Sequence, residues 1–257
     1  MGNRSVRERV RVQVPETVTS EIDSQMSRTV LRLREMILRG EFIAGERVSE
    51  APLTARLGAS RTPIRLALER LAHEGLLEPY PTGGFVIRRF TIEDVWDSIE
   101  VRGVLEGAAA RLAAERLTGD AELNALRRCQ EAMDALGEPT PDSLPQYLEA
   151  NDRFHAEILR LAKSQTLNRS LERLLLMPLA SRQALVSLRT RFPEASDIFI
   201  VGRDQHLRII EAIARHQGAR AENIAREHAE ITRRALEFAL AHAHDLSALP
   251  GGNLIQR

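Results

Sequence analysis

Ser60-Arg61-Thr62-Pro63-Ile64-Arg65-Leu66-Ala67-Leu68, followed by Leu76-Leu77-Glu78-Pro79-Tyr80, Pro81-Thr82-Gly83-Gly84 and Phe85-Val86-Ile87, decides the fold of this chain. Ser60 is a helix-capping residue, and Pro63 is tolerated in the opening turn of the helix that follows. Ile64, Leu68 and Leu71 recur at spacings of four and three, which is one face of a helix. Gly75 closes that helix. The residues up to Ile87 then read as strand, glycine-rich turn and strand. Working upstream, Gly58 ends a short helix over 50–57 that carries Pro52 in its first turn. Ile22, Met26, Val30, Leu33 and Ile37 stripe a longer helix over 21–39, which Gly40 stops. Three helices and a hairpin outline a winged helix-turn-helix.

Working downstream, the chain becomes a series of long amphipathic helices. Their expected bounds are 91–117, 120–136, 143–162, 165–189, 196–216 and 218–243, with breaks at Thr118-Gly119, 137–145 and Phe192-Pro193. Aromatic residues are only 4% of the chain, and β-branched alternation is nearly absent outside 77–90. The expected fold class is therefore mostly α: an N-terminal winged helix-turn-helix of three helices plus a short β-hairpin over 21–90, then an all-α helical bundle over 91–245. Residues 1–20 and 246–257 read as flexible tails.

Composition narrows the possibilities further. The chain has 257 residues, 43% of them apolar, enough for two domains with real cores. It has no run of 18 apolar residues, so no membrane contact is expected. Arg4, Arg7, Arg9 and Arg11 are not followed by an apolar stretch, which excludes a secretory signal. A single cysteine, Cys129, rules out a disulfide framework and a thiolate metal cluster. A cytoplasmic protein is the expectation. The net charge is zero but unevenly spread: residues 1–90 carry 15 arginines against 11 acids, and the remainder carries the opposite excess. A basic front and an acidic back suggest that only the front meets a polyanion.

On the third helix, Ser60, Arg61, Thr62 and Arg65 lie away from Ile64 and Leu68. A helix fits the major groove of DNA, its first residues reach base edges, and arginine bonds guanine through two acceptors. The alternative is a solvated arginine face on an ordinary helix. The stretch Gly45-Glu46-Arg47-Val48-Ser49-Glu50, Leu53, Leu57-Gly58, Ser60-Arg61-Thr62-Pro63-Ile64-Arg65, Leu68, Leu71, Glu74-Gly75-Leu76 and Gly84 resembles the N-terminal domain of GntR-type bacterial transcriptional regulators. The resemblance implies that Arg61, Thr62 and Arg65 contact DNA and that Gly83 and Gly84 form a wing tip entering the minor groove. Two positions depart from the family pattern: Leu66, where Glu is common, and Ala51, where some members carry a DNA-contacting Arg. Val101-Arg102, Leu105-Glu106 and Ala108-Ala109 resemble the first helix of the all-helical FCD effector domain of the FadR branch.

Three of the seven histidines sit on apolar stripes. His155 shares a face with Leu148, Asn151, Ile158 and Leu159; His206 with Ile209, Ile210 and Ile213; His228 with Ile224, Ile231, Ala235 and Phe238. Each could be a satisfied core histidine. Together they could converge inside the bundle, where helical proteins build metal sites. The FCD resemblance implies a divalent metal held by Asn151, His155, His206 and His228, with Asp152 as the alternative to Asn151. Three nitrogens, one oxygen and no thiolate suit zinc or nickel, with manganese or iron also possible. Arg102 would hold the carboxylate of a small organic-acid effector through its forked guanidinium.

The resulting expectation is a ligand-responsive transcriptional regulator and not an enzyme, a repressor released by its effector, with activation as the alternative. It would bind a palindromic double-stranded DNA operator as a homodimer, in the nucleoid of a bacterial cell. Two other readings are a metal-dependent hydrolase and a constitutive architectural DNA-binding protein.

Overall fold

The computed structural model describes residues 16–178, 196–242, 249 and 251–256. The N-terminal half begins with α1 (Glu16–Leu38), β1 (Arg47–Val48), α2 (Glu50–Leu57) and α3 (Arg61–His73). It continues with β2 (Leu77–Pro79) and β3 (Phe85–Ile87). Leu33, Ile37, Leu53, Ile64, Leu68 and Leu71 are each at most 2% exposed and form one core. The α3 stripe and the Val30, Leu33 and Ile37 part of the α1 stripe are therefore buried faces. Gly58 ends α2 in the left-handed region, with its N–H on the Thr54 carbonyl.

The hairpin is part of a three-stranded sheet in the order β1-β3-β2, antiparallel throughout, with Arg47 opposite Val86 and Leu77 opposite Ile87. Two residues at 47–48 are too short to show an alternation, so β1 was invisible to pattern reading.

A short β4 (Phe90–Thr91) leads into α4 (Ile92–Arg116). Thr91 caps α4 by accepting from Asp94 N at 3.1 Å, while the Asp94 carboxylate accepts from Thr91 N at 2.8 Å. A 3-10 turn at Asp120–Leu123 follows, then α5 (Asn124–Leu136), α6 (Leu144–Ala162), α7 (Gln165–Leu174), α8 (Ser196–Ala214) and α9 (Gly218–His242). No helix among the described residues is long and apolar enough to cross a membrane.

Helix α4 packs between α6 and α9. Gly103 and Gly107 make the α4–α9 approach possible. A Cβ at 103 would lie 3.2 Å from the Ala229 Cβ, and one at 107 would lie 2.7 Å from Arg226 Cγ and 3.0 Å from the Glu222 carbonyl.

Three elements differ from the sequence expectation. Helix α1 starts at Glu16, inside the stretch read as a tail. Helix α7 stops at Leu174 rather than continuing to 189, of which 179–189 lie outside the described residues. Its end is fixed by contacts across the domain boundary. Met177 packs on the N-terminal core, and Arg173 Nη2 donates to the carbonyl of His73, the last residue of α3, at 3.2 Å.

The third difference is the C-terminal segment, which was expected to fray. Its described residues strap the two halves together. Leu249 is buried beside Val95, Ile99 and Leu236. Gly251 N–H donates to Leu38 O at 2.8 Å, and Asn253 Nδ2 donates to Ile37 O at 3.3 Å and Phe42 O at 3.0 Å. Leu254 is fully buried in the N-terminal core, and β5 (Ile255–Gln256) pairs in parallel with β4. The carbonyls that close α1 need donors, and this segment supplies them from more than two hundred residues away in sequence.

Leu254→Ala leaves a cavity at this junction and is expected to cost about 2–5 kcal/mol in chemical denaturation. Gly107→Ala is expected to destabilise the helical half by forcing α4 off α9, read as a lowered thermal midpoint.

Candidate nucleic-acid interface and metal centre

Helix α3 starts at Ser60, whose extended backbone (φ −70°, ψ 167°) sits at the N-cap without a capping hydrogen bond from its hydroxyl. Pro63, Ile64, Ala67 and Leu68 turn inward, which leaves Ser60, Arg61, Thr62 and Arg65 exposed on the outer face. Arg65 is only loosely balanced by Glu69, at 3.9 Å. By contrast, Arg34 and Arg70 both pair with the buried carboxylate of Glu74 at the far end of the helix. The uncompensated positive charge of α3 thus sits at its first turns, where the helix dipole also favours an anion.

The wing turn closes through Gly83 N–H to Tyr80 O at 2.9 Å and Tyr80 N–H to Gly84 O at 3.0 Å. Gly83 and Gly84 have φ of +92° and +85°, a left-handed pair that L side chains rarely adopt. Both are exposed. One residue of this face was not anticipated: Arg47 on β1 donates from Nη2 to Gly83 O at 2.8 Å.

Inside the bundle, the three stripe histidines converge from α6, α8 and α9. A ligand nitrogen from each of His155, His206 and His228 lies within 4.8 Å of the others, and no other group of three or more His, Cys, Asp or Glu among the described residues does this. His155 and His206 are 5% and 2% exposed, and His228 is half-buried. The Nε2 atoms of His206 and His228 face each other at 3.1 Å. Two nitrogens each about 2.1 Å from one ion take up a separation of this size.

The rings are held in place by their neighbours. Phe154 stacks on His206 with centroids 4.1 Å apart, and Nδ1 of His228 lies 3.3 Å from Gln205 Oε1. A second hydrogen bond of this kind orients a metal-ligating imidazole. The neighbouring cavity, of about 10 Å³, lies between Glu106, His155 and His228 and the apolar side chains of Ile158, Leu159 and Ile209. It has room for one water-sized occupant. The donor set and the space therefore fit a single ion.

The two candidate oxygen ligands differ. Asn151 is 6% exposed, one turn before His155 on the buried face of α6. Asp152 is half-buried, its carboxylate lies outside the three-imidazole group, and it borders a surface groove with Pro145, Glu149 and Arg153. The spacing of three that put Asp152 within reach of His155 does not bring it round to the interior.

Arg102, expected to hold an effector carboxylate, lies at the contact between α4 and α9. It is 1% exposed and reaches across to α9, where Nη2 donates to Ala229 O at 3.1 Å and Thr232 Oγ1 at 2.7 Å. Its Nε lies 3.9 Å from the Glu106 carboxylate one turn on. A fully buried guanidinium must satisfy several donors, and the helix α9 beside it offers the acceptors. The charged group that lines the cavity is Glu106. The sequence places it only in the stretch that resembles the first FCD helix; no local pattern shows which of two residues a turn apart faces a neighbouring helix.

The family model described as "Bacterial regulatory proteins, gntR family" matches residues 25–87, and the FCD domain model matches residues 97–231. Among characterised relatives, the chain is 36% identical over 132 residues to the Nta operon transcriptional regulator of Aminobacter aminovorans, covering 51% of this chain and 61% of the relative. It is 34% identical over 134 residues to a probable D-xylose utilization operon transcriptional repressor of Paenarthrobacter nicotinovorans, covering 52% and 58%. The aligned part thus spans less than two thirds of either relative. Escherichia coli McbR/YncC superposes with a TM-score of 0.58 at 20% identity over 84% of this chain and 97% of that one, which shows a shared fold. With both family models matched in chain order onto the two halves described above, the chain belongs to the GntR family of bacterial regulatory proteins and carries an FCD domain.

Proposed function

We propose that this regulator is controlled by a small organic acid that binds at a metal ion held in the helical half. Asn151, His155, His206 and His228 hold the ion, and zinc or nickel suits the three nitrogens better than manganese or iron. The observation that carries the reading is the convergence of three imidazoles from three separate helices beside a cavity of about 10 Å³. The ion would supply open positions for a ligand carboxylate. That cavity is too small for an acid of several heavy atoms, so the helices that line it, α4, α6, α8 and α9, would have to part on binding. The Arg102–Thr232 contact joins α4 to α9 and would rearrange. This movement is the coupling free energy between effector and DNA, and it acts equally in both directions.

The DNA face is α3 with Ser60, Arg61, Thr62 and Arg65, and the wing tip at Gly83 and Gly84. A homodimer would set two α3 helices in successive major grooves of a palindromic operator, one turn of about 34 Å apart. Release of repression by the acid is the sense we assign. One relative carries the name repressor. A hydrolytic reading would have to fit a substrate into the same small cavity and would leave α3 and the wing without a task.

Arg61→Ala and Arg65→Ala are each expected to weaken binding to duplexes selected by the wild-type protein about 10- to 100-fold. Sedimentation should show the oligomer unchanged, and unaltered affinity would refute the assignment. Elemental analysis is expected to find about one divalent metal per chain. His155→Ala combined with His228→Ala is expected to abolish it, lower the thermal midpoint and remove any stabilisation by small carboxylic acids. Metal-free wild-type protein with an unchanged midpoint would count against the site.

A further inference from the structure

We infer that Arg47 is a DNA-reading residue, set into the minor groove beside the wing tip and adding a preference for narrow, A·T-rich sequence there. Arg47 lies on β1 opposite Val86 of the wing strand β3. Val48 next to it is buried, so the alternation of the strand turns Arg47 to the surface. Its guanidinium is held twice: Nη2 donates to Gly83 O at 2.8 Å, and the guanidinium carbon lies 4.7 Å from the centroid of the Tyr80 ring. The turn is packed closely around it. A Cβ on Gly84 would come within 3.3 Å of Val48 O and 4.0 Å of Arg47 Nε.

Charge separates Arg47 from its neighbours. Arg56 pairs with Glu41, Arg65 with Glu69, Arg70 with Glu74, and Arg88 with Glu78 and Asp94. No carboxylate among the described residues lies within 4.0 Å of Arg47 in this way, so it remains an exposed, pre-oriented cation at the tip of the wing. One of its five N–H donors is used on Gly83, which leaves others of this exposed side chain for a nucleic-acid acceptor. An arginine in that state suits the narrow minor groove, whose negative potential is strongest over A·T runs.

The inference rests on the reading that α3 and the wing face DNA, and the test separates the two. Full-length wild-type protein, Arg47→Ala, Arg47→Lys, Tyr80→Ala and Arg61→Ala are each used to select duplexes from a randomised pool, and affinity is measured across salt concentrations. Arg47→Ala is expected to keep its thermal midpoint and the bases chosen by α3, and to lose the A·T preference under the wing. Its affinity should fall about 10-fold and the salt slope by about 1. Arg47→Lys keeps the charge without the planar fork, so it should recover the slope but not the preference. Should Arg47→Ala fold poorly, Tyr80→Ala decides: it leaves the cation in place with one of its two holds removed, and should relax the preference while keeping the slope.

Unchanged selection by Arg47→Ala, or a uniform loss of affinity with the preference intact, overturns the assignment. A strong effect of Arg61→Ala alongside either of those results sinks this inference alone. No effect of Arg61→Ala sinks the DNA-facing reading beneath it.

Discussion

The distance at which α4 can lie against α9 governs the helical half of this protein. Gly103 and Gly107 put no side chain of α4 between the two helices, and an added Cβ at 107 would sit 2.7 Å from Arg226 Cγ. Because the helices are this close, Arg102 can span them and place two of its N–H donors on Ala229 O and Thr232 Oγ1. The same closeness sets Glu106 and His228 on opposite walls of one small cavity. A buried guanidinium is tolerable only with such partners, since an unsatisfied one would cost several kcal/mol. The helix contact, the polar bridge and the histidine cluster therefore form one unit, and a change in any of them must be felt by the others.

That unit is tied to the DNA-binding half at two places. From α7, Arg173 reaches the carbonyl end of α3 and Met177 packs on the N-terminal core. From the C-terminal segment, Asn253 and Gly251 bond the last carbonyls of α1, while Leu254 fills the core beneath them and β5 pairs with the β4 linker. Both ties hold helices of the winged domain by their ends. A displacement at α9 would thus have short mechanical routes to α1 and α3.

Much of this was legible in the residues. The α3 stripe and the Val30, Leu33 and Ile37 part of the α1 stripe became buried faces, and the turn at Gly83-Gly84 became a left-handed hairpin tip. The three histidines read from separate apolar stripes met inside the bundle. Periodicity succeeds in these cases because a helix or a turn is a local structure, and a buried face must be apolar along its own length. The misses were all matters of long range. β1 is two residues long, α7 ends where it meets another domain, and 249–256 is apolar enough to be a strap but too short to announce one.

The sequence by itself determined the winged helix-turn-helix, the helical bundle behind it, the exposed basic start of α3 and the candidate imidazole ligands. Each of these follows from spacing within one element. Only the tertiary structure decided that Arg102 turns to α9 while Glu106 faces the cavity, that Asp152 lies outside the cluster where Asn151 is buried, and that Arg47 is bound to the wing. In each case two residues a turn or less apart, or on different strands, compete for one direction. The winner is set by which acceptor or ring the neighbouring element presents.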